Sequence, residues 1–568
     1  MCMYCGADHV SELSDKYGLP QLGDPRFKAS EIVLETVDAD GSLQSAYEVT
    51  HDAVFEGSVG EGDRTDWVKL ELDADAPASF LFRTDDDVDQ FDFSIRNQDG
   101  NLIDFEIEQT AQGGIEINFD AVEDGPVFLE VSTEANGGSY QVTAAESASL
   151  PTFSATQIAY QLTNGYWQSN GYSRHRFNTN TNGDITVDIT RLNADGKNLA
   201  KAALKVWENY SGLNFKFGNL GNAADIRFDD ENSGAYAGYS AYGNTTVSSY
   251  INVSKSWVSY YGTNLGGYAY QTYLHEIGHA LGLGHAGNYN GSANFQQNGA
   301  GSNHYMNDSW QMSVMSYFSQ SENSSVDADF AYVVSPMVAD IAAIRDLYSN
   351  VGHSFKSGNT KYDLHGANSP IQEAGLIKGG APVAYTVVDT GGKDIFDFRA
   401  SGADQRIDLR SGSHSDISGR DGNLSIAIGT IIEKARGGTG DDELTGNWAN
   451  NVLAGNHGDD YLRGLRGEDK LRGGLGDDVI EGGRDNDIYN GGEGADRFVF
   501  NTGDGDDHVR RYQDGLDKFD LRGTSATEFA DLTITDTGLH ARVSVDDITI
   551  MVKKIEASLL DASDFIFS

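Results

Sequence analysis

A nine-residue period constrains this chain more than any other feature. From Gly437 a unit recurs in strict phase at Gly446, Gly455, Gly464, Gly473, Gly482 and Gly491. The sixth position holds Asp442, Asn451, Asp460, Asp469, Asp478, Asp487 and Asp496; the eighth holds Leu444, Leu453, Leu462, Leu471, Ile480, Tyr489 and Phe498. A generic Gly/Asp linker would not keep phase over seven units. The pattern predicts a parallel β-roll in which glycines turn the chain and the eighth residue points into a thin core. Carbonyl oxygens from the turns and the Asp carboxylates form an oxygen-only ligand set, which selects calcium. Stacking two units apart should pair Asp460 with Asp478 and Asp469 with Asp487.

Composition fits such a roll. The net charge is −46, with 67 Gly and only 8 Pro among 568 residues. That charge repels nucleic acid and anionic membranes and favours divalent cations. No apolar run of the length a bilayer requires occurs, so no membrane span is expected. The N-terminus has no basic segment followed by an apolar one, so no Sec-type signal peptide is expected either. The only cysteines are Cys2 and Cys5.

A second motif carries chemistry. His275 to His285 reads H-E-I-G-H-A-L-G-L-G-H. On a helix, His275 and His279 stand one turn apart on one face, within reach of a single zinc ion. Glu276 is the base beside them, facing the attacking water rather than the metal. Gly282 can take the left-handed conformation that ends a helix, returning the chain so that His285 becomes a third ligand. Leu274, Ile277 and Leu281 supply the apolar stripe. This is the long metzincin form of the zinc-protease motif.

Downstream, Ser313-Val314-Met315-Ser316-Tyr317 makes the resemblance closer. Residues from about 155 to 349 resemble the catalytic domain of the serralysins, secreted bacterial metzincins. The resemblance implies that Met315 is the Met-turn residue flooring the zinc site. It also makes Tyr317 a further zinc ligand that can leave the metal to stabilise the oxyanion. The run Ser335 to Ile341 and on through Tyr348 resembles that family's closing helix. Ala286 stands where the family usually has Pro, and Asn288 where it usually has Asp.

The same resemblance implies further calcium loops: Lys356, Gly358 and Thr360; Asp389, Gly391, Gly392 and Asp394; and Glu433. Lys356 replaces a usual Arg and Ile431 a usual Thr. In the repeats it extends the calcium set to Gly437, Gly438, Gly440 and Asp442; Gly455, Gly458 and Asp460; Gly464, Gly467 and Asp469; Gly473, Gly474, Gly476 and Asp478; and Gly482 and Asp487. The chain ends Asp564-Phe565-Ile566-Phe567-Ser568, similar to the C-terminal region that type I exporters read in serralysins.

From about 46 to 147, short alternating runs such as Trp67-Val68-Lys69-Leu70 and Phe80-Leu81-Phe82 are separated by Gly and Asp turns, which predicts a β-sandwich. Their order resembles the pre-peptidase C-terminal modules of secreted bacterial proteases. Asp85, Asp86, Asp87 and Asp89 read either as a solvated loop or as a calcium site. Cys2 and Cys5 read either as part of an unstructured terminus or as a latency device.

The expected architecture is multidomain. Residues 1–45 are leader- or propeptide-like, and 46–147 form an all-β sandwich. Residues 148–349 form an α+β metzincin catalytic domain with a mixed sheet and the zinc helix. Residues 350–568 form a calcium-binding parallel β-roll with a C-terminal secretion signal. The expected function is a secreted, extracellular zinc endopeptidase with one catalytic zinc and several structural calcium ions. Its expected partners are protein or peptide substrates and type I export machinery, and it is expected to be a monomer. The competing reading is a calcium-dependent surface or adhesion protein with an inactive metzincin domain. A lipase would need a G-x-S-x-G elbow, and the chain has none.

Overall fold

The computed structural model describes residues 150–296, 301–364 and 381–567, together with strands between Glu31 and Ala144. Cys2, Cys5, the Asp85–Asp89 loop and Ser568 lie outside the described residues. Described residues 159–295 and 307–567 form one compact unit; those before 159, with 296 and 301–306, form another.

Period-two alternation shapes the N-terminal strands. One sheet has the order Glu31–Leu34, Ala53–Val59, Gly138–Ala144, Ala78–Thr84, Ile115–Phe119, Phe105–Gln109. The other runs Tyr47–Val49, Thr65–Leu72, Gly125–Ser132, Asp92–Asn97, Leu102–Ile103. Phe82, Ile117 and Val142 of the first sheet and Ile95, Leu129 and Val131 of the second are fully buried. Phe82 and Phe93 meet edge to face at 4.8 Å. The strand Glu31–Leu34, within the stretch that reads as a leader, pairs in parallel with Ala53–Val59.

In the larger unit, Arg176–Phe177, Asp184–Asp188, Asn214–Phe217, Ile226–Asp229 and Thr245–Val253 form a parallel sheet. Ala235–Tyr242 runs antiparallel along Thr245–Val253 and makes the sheet mixed. The helix Ala194–Ser211 starts where the Asn193 side chain accepts from Gly196 N–H at 2.7 Å and ends at Gly212, φ 76°. Its stripe of Leu199, Ala203, Val206, Trp207 and Tyr210 is buried, and the Trp207 indole donates to Leu274 O at 3.0 Å. That bond ties it to the helix Tyr268–Leu281, which carries the histidine motif. Tyr348, just after the helix Val338–Leu347, donates to Leu281 O at 2.9 Å.

From Lys434 to Gly523 the strands alternate between two sheets, each strand parallel to the one two units away. Leu453, Leu471 and Tyr489 stack in one sheet and Leu444, Leu462, Ile480 and Phe498 in the other, all buried. Phe565–Ile566 pairs with the strand Lys518–Gly523 near the end of the chain.

Candidate metal centre

The motif helix is held on several sides by hydrogen bonds to its own carbonyls. Besides Trp207 and Tyr348, Ser249 Oγ donates to Ala280 O and the Trp167 indole to Gly282 O, both at 3.0 Å. The helix stops at Gly282, whose φ of +110° no β-carbon would tolerate: an added Cβ would lie 2.2 Å from His175 O. Leu283 N–H then returns to Gly278 O at 3.0 Å, and the reversed chain delivers His285.

His275, His279 and His285 converge so that their ligand nitrogens all lie within 4.8 Å of one another, the only such group of acidic, His or Cys side chains among the described residues. His275 Nδ1 bonds Val314 O and His279 Nδ1 bonds Leu283 O, both at 2.8 Å. With Nδ1 donating to a carbonyl, the Nε2 lone pair is left for a metal. His275 Nε2 is buried and has no hydrogen-bond partner, while His279 Nε2 lies 3.0 Å from His285 Nε2. Burial is the largest influence on all three rings and holds their pKa values below that of free histidine. Three neutral imidazoles converging, with His275 Nε2 buried and unsatisfied, form a donor set suited to zinc.

Glu276 is almost wholly buried beside this group, and its charge partly offsets the burial effect on His279. Met315 is fully buried, with its sulfur 2.5 Å from where a Cβ on Gly278 would sit, so it packs directly under the helix. The Tyr317 ring is 4.6 Å from that of His285, and its hydroxyl accepts from Gly291 N–H at 3.3 Å. The structure therefore gathers every residue of the motif, together with Met315 and Tyr317, around one point.

Sequence reasoning missed the groups that hold this arrangement. Fully buried Asp340 accepts from Ser313 Oγ at 2.6 Å, Val314 N–H at 2.7 Å and Met337 N–H at 2.8 Å. It thereby fixes the turn whose carbonyl orients His275. Buried Asp308 accepts from Ser316 Oγ at 2.7 Å and from the Tyr289 hydroxyl at 3.1 Å. An acidic residue three positions into a helix that opens after a Pro was the available signal for Asp340; nothing local marks Asp308.

The expected calcium residues gather in two places. Gly358 and Gly392 approach closely: a Cβ on Gly392 would lie 2.6 Å from the Gly358 carbonyl carbon. Lys356 has φ 54°, and Thr360 Oγ1 donates to Gly358 O at 2.9 Å. Asp394 Oδ1 accepts from Thr360 N–H and Glu433 Oε2 from Asp394 N–H, both at 2.6 Å. Gly391 N–H donates to Asp389 Oδ1 at 3.0 Å. Asp394 Oδ2 is buried without a partner, and burial together with Asp389 and Glu433 pushes the carboxyl up to about 7.

In the roll, Asp442 N–H donates to Asp460, Asp460 N–H to Asp478, and Asp469 N–H to Asp487 at 2.8–3.0 Å. The second oxygens of Asp460, Asp469, Asp478 and Asp487 are buried without partners. A Cβ on Gly437, Gly438, Gly440, Gly455, Gly458, Gly464, Gly467, Gly473, Gly474, Gly476 or Gly482 would lie 1.9–3.0 Å from its nearest neighbour; Gly455, Gly464, Gly473, Gly474 and Gly482 are within strands and the rest in the connections. Gly458, Gly467, Gly474 and Gly476 have φ between 100° and 146°. The row continues past the recognised set: Asp487 N–H donates to Asp507 at 2.8 Å, and Asp496 and Asp507 also keep a buried, unpartnered oxygen. Asp507 lies 20 residues from Asp487 rather than 18, so a search in strict nine-residue phase passes it by.

Residues 353–553 match the family described as Peptidase M10 serralysin C terminal. The chain is 34% identical over 267 residues to serralysin of Photorhabdus luminescens, covering 46% of this chain and 54% of that protein. It is 35% identical over 272 residues to serralysin C of Dickeya chrysanthemi, covering 45% and 54%. To metalloprotease AprA of Pseudomonas entomophila it is 35% identical over 261 residues, covering 44% and 53%. The chain thus spans about half the length of the curated relatives it matches. The pre-peptidase C-terminal domain of a Bacillus anthracis collagenase aligns with 17% of this chain and 92% of that domain, at 16% identity and a TM-score of 0.15, a likeness that carries no argument. The serralysin resemblance read from the motifs is shown by these relatives and by the family match over residues 353–553.

Proposed function

We propose that this chain is a secreted, calcium-stabilised zinc endopeptidase that hydrolyses peptide bonds of extracellular proteins. The observation carrying this reading is the convergence of His275, His279 and His285 with a buried, unsatisfied His275 Nε2. When bound, zinc supplies Lewis acidity toward the attacking water and the scissile carbonyl. The histidines would hold it, and the Val314 and Leu283 carbonyls keep two of the rings oriented. Glu276 takes the proton of the attacking water and returns it to the leaving amine. Tyr317 would supply a further ligand, and its hydroxyl would donate to the oxyanion.

Ala235–Tyr242, with one strand partner among the described residues, is the edge to which an extended substrate would add as a strand. Lys356, Gly358, Thr360, Asp389, Gly391, Gly392, Asp394, Glu433 and the Asp rows of the roll would hold calcium. The N-terminal sheets would form a sandwich module, and type I machinery would export the chain. No helix among the described residues is long and apolar enough to cross a membrane. The adhesion reading needs an inactive centre, and a complete histidine trio beside Glu276 argues against it.

Casein digestion by wild type and Glu276→Gln, with zinc content measured for both, tests the proposal. Full zinc loading with loss of turnover in the variant is the expected result. Retained digestion by zinc-loaded Glu276→Gln would overturn the role of Glu276, and an inactive wild type with full zinc would overturn the function.

A further inference from the structure

The outer face of one roll sheet carries rows of cations, most of them without a carboxylate partner. Across its strands, Arg436, Ala454, Arg472, Asn490 and Arg510 lie in one register row. Lys434, Val452, Lys470, Ile488 and His508 form the adjacent row. Cationic side chains therefore recur on every second strand, about 10 Å apart at two strand spacings. A groove of about 440 Å³ runs over this face, with Lys470, Arg472 and Arg510 exposed along it.

Pairing separates this face from the rest of the roll. On the opposite sheet Arg463 is 3.2 Å from Glu481, and Arg497 is 3.2 Å from Asp520. At the start of the cationic face Arg399 is held by Asp397 at 2.7 Å, and Arg436 reaches the same carboxylate only at 3.8 Å. Among the described residues, Lys434, Lys470, Arg472 and Arg510 have no carboxylate within 4.0 Å. The chain has 86 acidic and 40 basic residues, so four unpaired cations on one face run against its composition. Mutual repulsion among them is relieved by an anion bridging the rows.

We propose that this face binds a linear acidic polysaccharide, lying across the strands with its carboxylates on the Arg and Lys rows. A chain with one uronate per disaccharide presents carboxylates at an interval comparable with two strand spacings. Single-stranded nucleic acid fits less well: its phosphates are much more closely spaced, and neither row contains a Phe, Tyr or Trp on which bases could stack. The site would hold the protein on an acidic matrix, and it stands independently of the protease reading.

The test uses the full-length, calcium-loaded protein and hyaluronate as probe, with dextran as the neutral control, followed by calorimetry or affinity electrophoresis at low and high salt. Wild type should bind hyaluronate at low salt, lose it at high salt and ignore dextran. The triple variant Lys470→Gln, Arg472→Gln, Arg510→Gln should bind on the order of tenfold more weakly, as expected for three exposed charge contacts. Arg463→Gln on the opposite face should bind as wild type does, showing that the loss is local. No binding by wild type, equal binding by the triple variant, or tighter binding of single-stranded oligodeoxythymidylate through the same residues would each overturn the proposal.

Discussion

Replacing Asp340 with Ala should loosen the candidate zinc site without touching it. Three donors converge on this carboxylate: Ser313 Oγ, Val314 N–H and Met337 N–H. Ser313 Oγ can rotate to another acceptor, but the two backbone donors cannot move. Leaving each unsatisfied in a dry interior costs about 1–3 kcal/mol, and the lost charge-assisted hydroxyl bond adds about 2 kcal/mol. Against this stands the burial cost of the charge itself. Burial pushes the Asp340 carboxyl up to about 6 despite its hydrogen bonds. That shift of about two units corresponds to roughly 3 kcal/mol at neutral pH, which removal relieves. The net loss is about 1–5 kcal/mol at pH 7.

Because the folded-state pKa is raised, the native protein binds more protons than the unfolded chain between about pH 4 and pH 6, and this group's contribution to stability falls as pH rises through that window. Alanine has no such dependence, so the deficit of the variant should be larger at pH 4.5 than at pH 7. Urea unfolding followed by tryptophan fluorescence reads this, since the Trp167, Trp207, Trp257 and Trp310 indoles donate to Gly282 O, Leu274 O, Thr272 Oγ1 and Ser316 O around the site. Competition with a zinc chelator should show about 10–100-fold weaker zinc retention, because His275 loses the support of Val314. Unchanged unfolding within about 0.5 kcal/mol at both pH values would refute the reasoning.

Gly282→Ala should cost about 2–4 kcal/mol, from left-handed strain plus the overlap with His175 O, and should lower proteolysis by displacing His285; Gly291→Ala, also at positive φ but with open space around it, should cost only about 1 kcal/mol. Thermal melts and casein digestion check both, and equal melting temperatures would remove the argument from chain reversal. Chelating calcium should lower the melting temperature of the roll sharply, since Asp460, Asp469, Asp478 and Asp487 each keep a buried oxygen that no protein group satisfies. An unchanged melt after exhaustive chelation would count against structural calcium.

Much of this molecule was legible because its signals are periodic and local. The nine-residue phase implies the stacking of Leu453 on Leu471 and Leu462 on Ile480, since each unit can bury its apolar residue only against a neighbour. Four-residue spacing on a helix already places His275 over His279, and Gly282 marks the helix end. What the phase hid is equally physical. After Gly491 the connections lengthen, yet the ladder from Asp487 to Asp507 persists because hydrogen bonding between strands depends on register and not on loop length.

Chain order alone determined the zinc-type motif, the repeat and the kind of ion each suits, because helix pitch and turn chemistry act within a few residues. Only the tertiary structure decided which distant groups support them. Asp340 reaches the turn at Val314 across 26 residues, and Trp207 reaches Leu274 across 67. The unpaired Lys470, Arg472 and Arg510 become one face only when strands 18 to 20 residues apart in sequence lie side by side. Hydrogen bonding and charge pairing act through space, and the distances that matter to them exist only once the chain has folded.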